Sequence, residues 1–126
     1  RGGLGQYMEV GAQEGHEFDI QAMFDRGKHP ARGRRGGANG AATTIARSDG
    51  AGMQVKGKQF VPHGTRVLMA FPGGAGYGDP AARPTEKVKR DLAHGYISEA
   101  TARDVYGLSS DDIASVAEAV RKGEQV

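Results

Sequence analysis

Between Glu17 and Phe24 the chain alternates strictly: Phe18, Ile20, Ala22 and Phe24 fall on one side of an extended backbone, and Glu17, Asp19, Gln21 and Met23 on the other. A period of two is what a half-buried strand requires, because successive side chains leave opposite faces of the pleat. The same reasoning, with weaker alternation, predicts strands over Gly5 to Ala12, Ala41 to Arg47 and Arg66 to Phe71, where Val67, Met69 and Phe71 would share a face. Beyond Pro80 the period changes. Val88 and Leu92 mark a first helix, Ala102, Val105 and Tyr106 a second behind a Ser98 N-cap, and Ile113, Val116, Ala117 and Val120 a third behind Ser109 and Ser110. Asp111 and Asp112 sit in the first turn of that third helix, where its dipole favours anions, and Gly95 and Gly107 stand where C-terminal caps belong. The pattern therefore predicts an α+β chain. Short antiparallel or mixed strands with glycine-rich turns occupy residues 1–80, and a small helical tail occupies residues 81–126.

Composition makes the β portion an unusual one. Of 126 residues 21 are glycine, only 37% are hydrophobic and none is Trp, which favours short strands and tight turns over a thick autonomous core and argues against independent stability. No internal repeat of fixed period is present; the glycines gather at Gly2-Gly3, at Gly33 with Gly36-Gly37 and Gly40, and at Gly73-Gly74 with Gly76 and Gly78. Such density predicts either positive φ or backbone lying close against something else. The chain has no cysteine, which removes disulfides and thiolate metal sites and fits a reducing compartment, so a cytoplasmic location is expected. Apolar runs such as Val67 to Phe71 fall far short of the roughly 20 residues that span a bilayer, and Arg1 opens nothing like a signal peptide. A soluble segment with no membrane partner is expected.

Net charge is +2, unevenly spread: residues 1–80 carry 10 Lys/Arg against 7 Asp/Glu, and residues 81–126 carry 7 against 8. The surplus is concentrated in Arg26, Lys28, Arg32, Arg34 and Arg35, ten residues without an acid, suited to phosphate, nucleic acid or an acidic partner surface. Arg32-Gly33-Arg34-Arg35-Gly36-Gly37 has the look of an RNA-binding RGG box. Such boxes repeat in disordered tails with interleaved aromatics, whereas this one occurs once between strands, so a solvated or subunit-facing loop is expected rather than a nucleic-acid site.

Residues 72–80, Pro-Gly-Gly-Ala-Gly-Tyr-Gly-Asp-Pro, follow a predicted strand and precede a helix, the setting of many anion-binding loops. The Walker spacing with its Lys-Ser/Thr and the G-x-G-x-x-G spacing are both absent, which favours a structural turn. His16, His29, His63 and His94 show no metal-ligand spacing. Ser48, Ser98, Ser109, Ser110 and Ser115 fall in turns, caps or helix without a nucleophile elbow. Glu9 and Asp79 are the two carboxylates that burial beside a reaction centre would make general bases. Asp79 before Pro80 is also ordinary turn and cap chemistry, so no catalytic residue is assigned and Asp79 stands only as a candidate.

Taken in order, Arg1-Gly2-Gly3-Leu4-Gly5-Gln6, then Phe24-Asp25-Arg26 leading to Pro30, Gly33 and Gly36-Gly37-Ala38-Asn39-Gly40, then the glycine loop with its Asp-Pro, resemble the hydantoinase B/oxoprolinase family. Arg83, Val88, Asp91, Gly95, Ser98, Ala102, Tyr106 and Gly107 resemble the family's closing pattern of an arginine, a helix, a glycine-hydrophobic-serine step and a Tyr-Gly. The resemblance runs from residue 1 to about residue 108, and the glycine loop is its most specific part. It implies the C-terminal segment of a longer B-type subunit in an ATP-dependent hydrolase that opens hydantoin or 5-oxoproline rings. Related acetone and acetophenone carboxylases share this subunit type, and a non-catalytic assembly module is the alternative role. The implied partners are the remainder of the B-type subunit and a hydantoinase A-type subunit that binds ATP. ATP with magnesium, and a divalent metal, would belong to the full complex; none is expected on this segment alone.

Gly73, Gly74, Gly76, Tyr77 and Gly78, with Arg32 and Arg35 of the basic loop, are the residues expected to contribute to a ligand site or a subunit interface. Three departures from the family pattern accompany the match. Gly64-Thr65 stands where a Gly-Asp is common, Ala75 replaces a glycine, and Pro84-Thr85 replaces an Asp-Pro helix start. Ala75 in particular argues against a positive φ at that position.

Overall fold

The computed structural model describes residues Arg1–Glu124. The chain divides into two compact units, Arg1–Arg34 with Ala38–Gly76, and Arg35–Gly37 with Tyr77 onward. Five strands make up the first unit: β1 (Gln6–Gly11), β2 (Phe18–Met23), β3 (Thr44–Arg47), β4 (Lys56–Val61) and β5 (Arg66–Phe71). All pairings are antiparallel, in a three-stranded sheet of order β1-β5-β3 and a two-stranded sheet of β2 and β4. The α+β expectation with antiparallel strands and terminal helices holds.

The apolar faces explain why two such small sheets are stable. Ile45, Val61, Val67 and Met69 form a buried cluster, and Phe18, Ile20, Phe24, Met53, Val55 and Phe71 pack against it. Phe24 and Phe71 meet edge to face with centroids 4.9 Å apart, the favourable arrangement for two ring quadrupoles. The inward set of β2 is the one its alternation predicts, with Ala22 buried and Met23 exposed. Sequence pattern missed β4. Lys56-Gly57-Lys58-Gln59 has no apolar alternation, and its extended form comes from the ladder to β2, in which Phe18 faces Val61 and Met23 faces Lys56. A Lys58–Asp19 ion pair of 2.9 Å crosses that ladder, and a reciprocal Gln54–Gln59 pair of bonds, 2.7 Å each, ties the segment before β4 to the strand.

In the second unit a short 3₁₀ turn (Pro80–Ala82) precedes α1 (Thr85–Ala93), α2 (Glu99–Asp104) and α3 (Ser110–Lys122). Caps set the boundaries as expected: the Ser98 hydroxyl accepts from the Thr101 amide at 3.1 Å and the Ser109 hydroxyl from the Asp112 amide at 3.1 Å. Gly95 and Gly107 take positive φ of 68° and 72° and turn the chain back after α1 and α2. Backbone bonds Tyr96 to Asp91 (2.8 Å) and Leu108 to Ala102 (2.9 Å) close those turns. Val88, Ala102, Leu108 and Ile113 form the core of the unit with Leu92, Ile97 and Tyr106 around it. Two expected core positions are corrected. Val105 lies past the end of α2 and is 48% exposed, and Val120, in the last turns of α3, is 49% exposed.

Candidate functional site

The glycine loop is held by backbone bonds to its own unit. The Gly74 amide donates to the Gly3 carbonyl at 3.1 Å and the Gly76 amide to the Ala38 carbonyl at 2.9 Å. The Gly76 carbonyl in turn accepts from the Arg34 amide at 3.0 Å, and the Gly73 carbonyl from the Arg26 guanidinium at 3.2 Å. A Cβ on Gly73 would overlap the Gly3 carbonyl, and one on Gly2 would overlap the Gly74 carbonyl. The glycines at 73 and 74 are thus explained by two backbones lying against each other. Only Gly78 in this loop has positive φ, 81°, and Ala75 has none, as its identity foretold.

This arrangement does not fit a phosphate cradle. An anion nest needs amides that point at open space, and those of Gly74 and Gly76 are spent on carbonyls of the same chain. Among the described residues no group of three His, Cys, Asp or Glu side chains is placed to hold a metal ion. His63 accepts from the Gly15 amide at 2.8 Å, and His94 stacks on Tyr96 at 5.4 Å.

In the second unit the Arg35 guanidinium lies over the exposed Tyr77 ring, 5.7 Å from its centroid, and Arg35 has a positive φ of 49°. A non-glycine residue in that region stores backbone strain, which the close approach to Tyr77 helps to offset. Asp79 is exposed, and its Oδ1 caps the 3₁₀ turn by accepting from the Ala81 amide at 2.9 Å. Nothing in that geometry sets it up as a buried base. Glu9 pairs with Arg66 across the β1–β5 ladder.

Arg32 lies in the first unit and Arg35 in the second. Lys28, Arg32, Arg34 and Arg35 are exposed, and among the described residues no ion pair engages them. The nearest acid in sequence, Asp25, is already taken: Lys56 donates to it at 2.8 Å, and that bond holds its carboxyl below the usual range. The loop therefore presents uncompensated positive charge to whatever approaches it.

Sequence reasoning missed the one buried ion pair among the described residues. Arg83 meets Asp91 at 2.5 Å, with Asp91 2% exposed, and the guanidinium also lies 5.9 Å from the Tyr106 ring centroid. Their role is architectural, joining the segment before α1 to α1 itself and to the turn after α2.

The hydantoinase B/oxoprolinase family profile matches residues 1–80. Among curated proteins, the chain is 43% identical over 56 residues to the caprolactamase beta subunit of Pseudomonas jessenii, covering 44% of this chain and 10% of that protein. It is 29% identical over 118 residues to a putative D-/L-hydantoinase B subunit of Pseudomonas sp. strain NS671, 89% of this chain and 20% of that protein. A 37% identity over 62 residues links it to the acetophenone carboxylase delta subunit of Aromatoleum aromaticum, 47% of this chain and 9% of that protein. The chain thus spans 9% to 20% of the length of the curated relatives it matches. No solved structure matches it.

Proposed function

The chain belongs to the hydantoinase B/oxoprolinase family, and on that basis we propose that it is the C-terminal segment of a B-type subunit in an ATP-dependent hydrolase of cyclic amides. The observation that carries this reading is the match across 89% of the chain to a protein named as a hydantoinase B subunit. The caprolactamase relative, also named for a cyclic amide, supports it. In this proposal ATP binds a hydantoinase A-type partner, which activates the ring carbonyl, and the reaction centre lies in the larger part of the B-type subunit.

This segment then contributes architecture and contact surface. Its glycine loop closes on its own N-terminal backbone, its helical unit is locked by Arg83 and Asp91, and its uncompensated cations at Arg32, Arg34 and Arg35 face an acidic surface of a partner. The exposed, capping Asp79 fits a structural part better than a catalytic one.

The test is turnover by the whole native assembly on hydantoin, 5-oxoproline and caprolactam, with and without ATP. Ring opening that requires ATP, undiminished in Asp79→Asn, is the expected result. Loss of turnover in Asp79→Asn with assembly intact would make this segment catalytic and overturn the architectural role. A second reading rests on the acetophenone carboxylase relative: ATP- and bicarbonate-dependent carboxylation of a ketone, with no ring opening, would place the protein on that branch.

A further inference from the structure

Among the described residues, strand β1 is the free edge of the three-stranded sheet. Its residues pair with β5 on one side, Met8 opposite Met69 and Val10 opposite Val67. Directly opposed residues share a face of the sheet, so Met8 and Val10 point to the side on which Met69 and Val67 are buried. Yet the core stops at β5: Met69 and Val67 are 3% and 0% exposed, while Met8 and Val10 are each 38% exposed. On the other face Tyr7 is 67% exposed, and Leu4, just before the strand, is 58% exposed. Every residue of Gln6–Val10 is exposed, which is not how a strand with three large apolar side chains persists in water.

The free backbone edge points the same way. The opposite edge of this sheet, β3, is covered by its own chain: Ala46 bridges Gly52, the Arg47 amide donates to Ala51 at 2.8 Å, and the Met53 amide to Ile45 at 3.3 Å. Among the described residues no backbone bond outside the β1–β5 ladder involves Gln6–Gly11. Edges that stay free in solution are protected by lysine, proline or a bulge. β1 has none of these, and its one charge, Glu9, is drawn to Arg66 on β5.

We propose that β1 is an internal strand of a larger sheet, flanked on its free edge by an extended segment from the rest of the B-type subunit whose apolar residues cover Met8 and Val10. The occupant follows from length: relatives carry at least four-fifths of their polypeptide outside the matched stretch, so cover for this edge exists in the same subunit. Main-chain pairing would supply affinity and the apolar side chains register. The inference rests on the B-type reading of the chain.

The experiment is residue-resolved deuterium exchange on the native assembly, with p-benzoylphenylalanine in place of Tyr7 to crosslink the neighbour. An edge strand protects only alternate amides, whereas an internal strand protects all of them. The expected result is protection of every amide from Tyr7 to Val10 by at least ~100-fold, with a crosslink to the B-type polypeptide outside these 126 residues. Val10→Lys should return alternate amides to fast exchange while those of Val67 to Phe71 stay protected, which shows that the unit remains folded. Alternate fast exchange in the unaltered assembly overturns the proposal, as does a crosslink to a second copy of this chain or to an A-type subunit. The masses of the co-purifying chains report separately: an assembly without any further B-type polypeptide removes the functional reading itself.

Discussion

Replacing Arg83 by methionine removes the guanidinium from a carboxylate that is 2% exposed, while keeping most of the side chain's bulk. Breaking a buried pair in this way costs about 3–5 kcal/mol, because the carboxylate keeps its desolvation cost after this counter-ion is gone. Loss of the contact with Tyr106 adds up to about 1 kcal/mol. The helical unit has about fifty residues, and at about 0.05–0.15 kcal/mol per residue its whole stability is of the same order. Arg83→Met is therefore expected to melt the three helices at a urea concentration where the β unit persists, a loss of helical circular dichroism ahead of the main transition. The double variant Arg83→Met/Asp91→Leu should recover to within about 1 kcal/mol of the parent, because an apolar pair of similar volume replaces a buried ion pair at little or no cost. A cost below about 1 kcal/mol for Arg83→Met, or a double variant weaker than both singles, would refute the assignment of Arg83 and Asp91 as a buried pair that locks the unit.

Ser109→Ala removes the cap that accepts from the Asp112 amide and should lower helical-unit stability by about 1 kcal/mol in urea titration, with Ser109→Thr largely neutral. Gly73→Ala forces two backbones apart and should cost about 1–3 kcal/mol, whereas Gly3→Ala, where a Cβ meets nothing within 4 Å, should stay within about 0.5 kcal/mol; thermal melts compare them directly. Lys89 bonds Asp112 at 2.7 Å and, ahead of the Ser109 hydroxyl, holds that carboxyl below its usual range. With the folded value depressed, the contribution is present above the unfolded carboxylate pKa of about 3.9 and is lost as pH falls through the folded value. Asp112→Asn should accordingly be less stable than the parent at neutral pH and converge with it in acid, as followed by circular dichroism.

Much of this architecture was legible in the chain because it is written in local patterns. The alternation of Phe18, Ile20, Ala22 and Phe24 names its own buried face, and Ser98, Ser109, Gly95 and Gly107 mark helix ends, since a cap acts on amides and carbonyls only a few residues away. Family membership was equally legible, through the opening Arg1 to Gln6, the Phe24-Asp25-Arg26 stretch and the glycine loop. What stayed hidden depends on partners distant in sequence. β4 is a strand because β2 supplies its ladder, not because Lys56-Gly57-Lys58 favours one. Val105 and Val120 are apolar at helical spacing yet exposed, because periodicity cannot say where neighbouring helices end. The density of glycine at 73, 74 and 76 was plain, but choosing between positive φ and close approach required the backbone of Gly2 and Gly3, about seventy residues away, to be in place. Arg83 and Asp91 are eight residues apart, but only tertiary packing makes them a buried pair. Sequence by itself determined the local periods and the chain reversals, whose physics is short-ranged; tertiary structure alone decided burial, pairing and the open edge of β1, which arise from contacts that no local window contains.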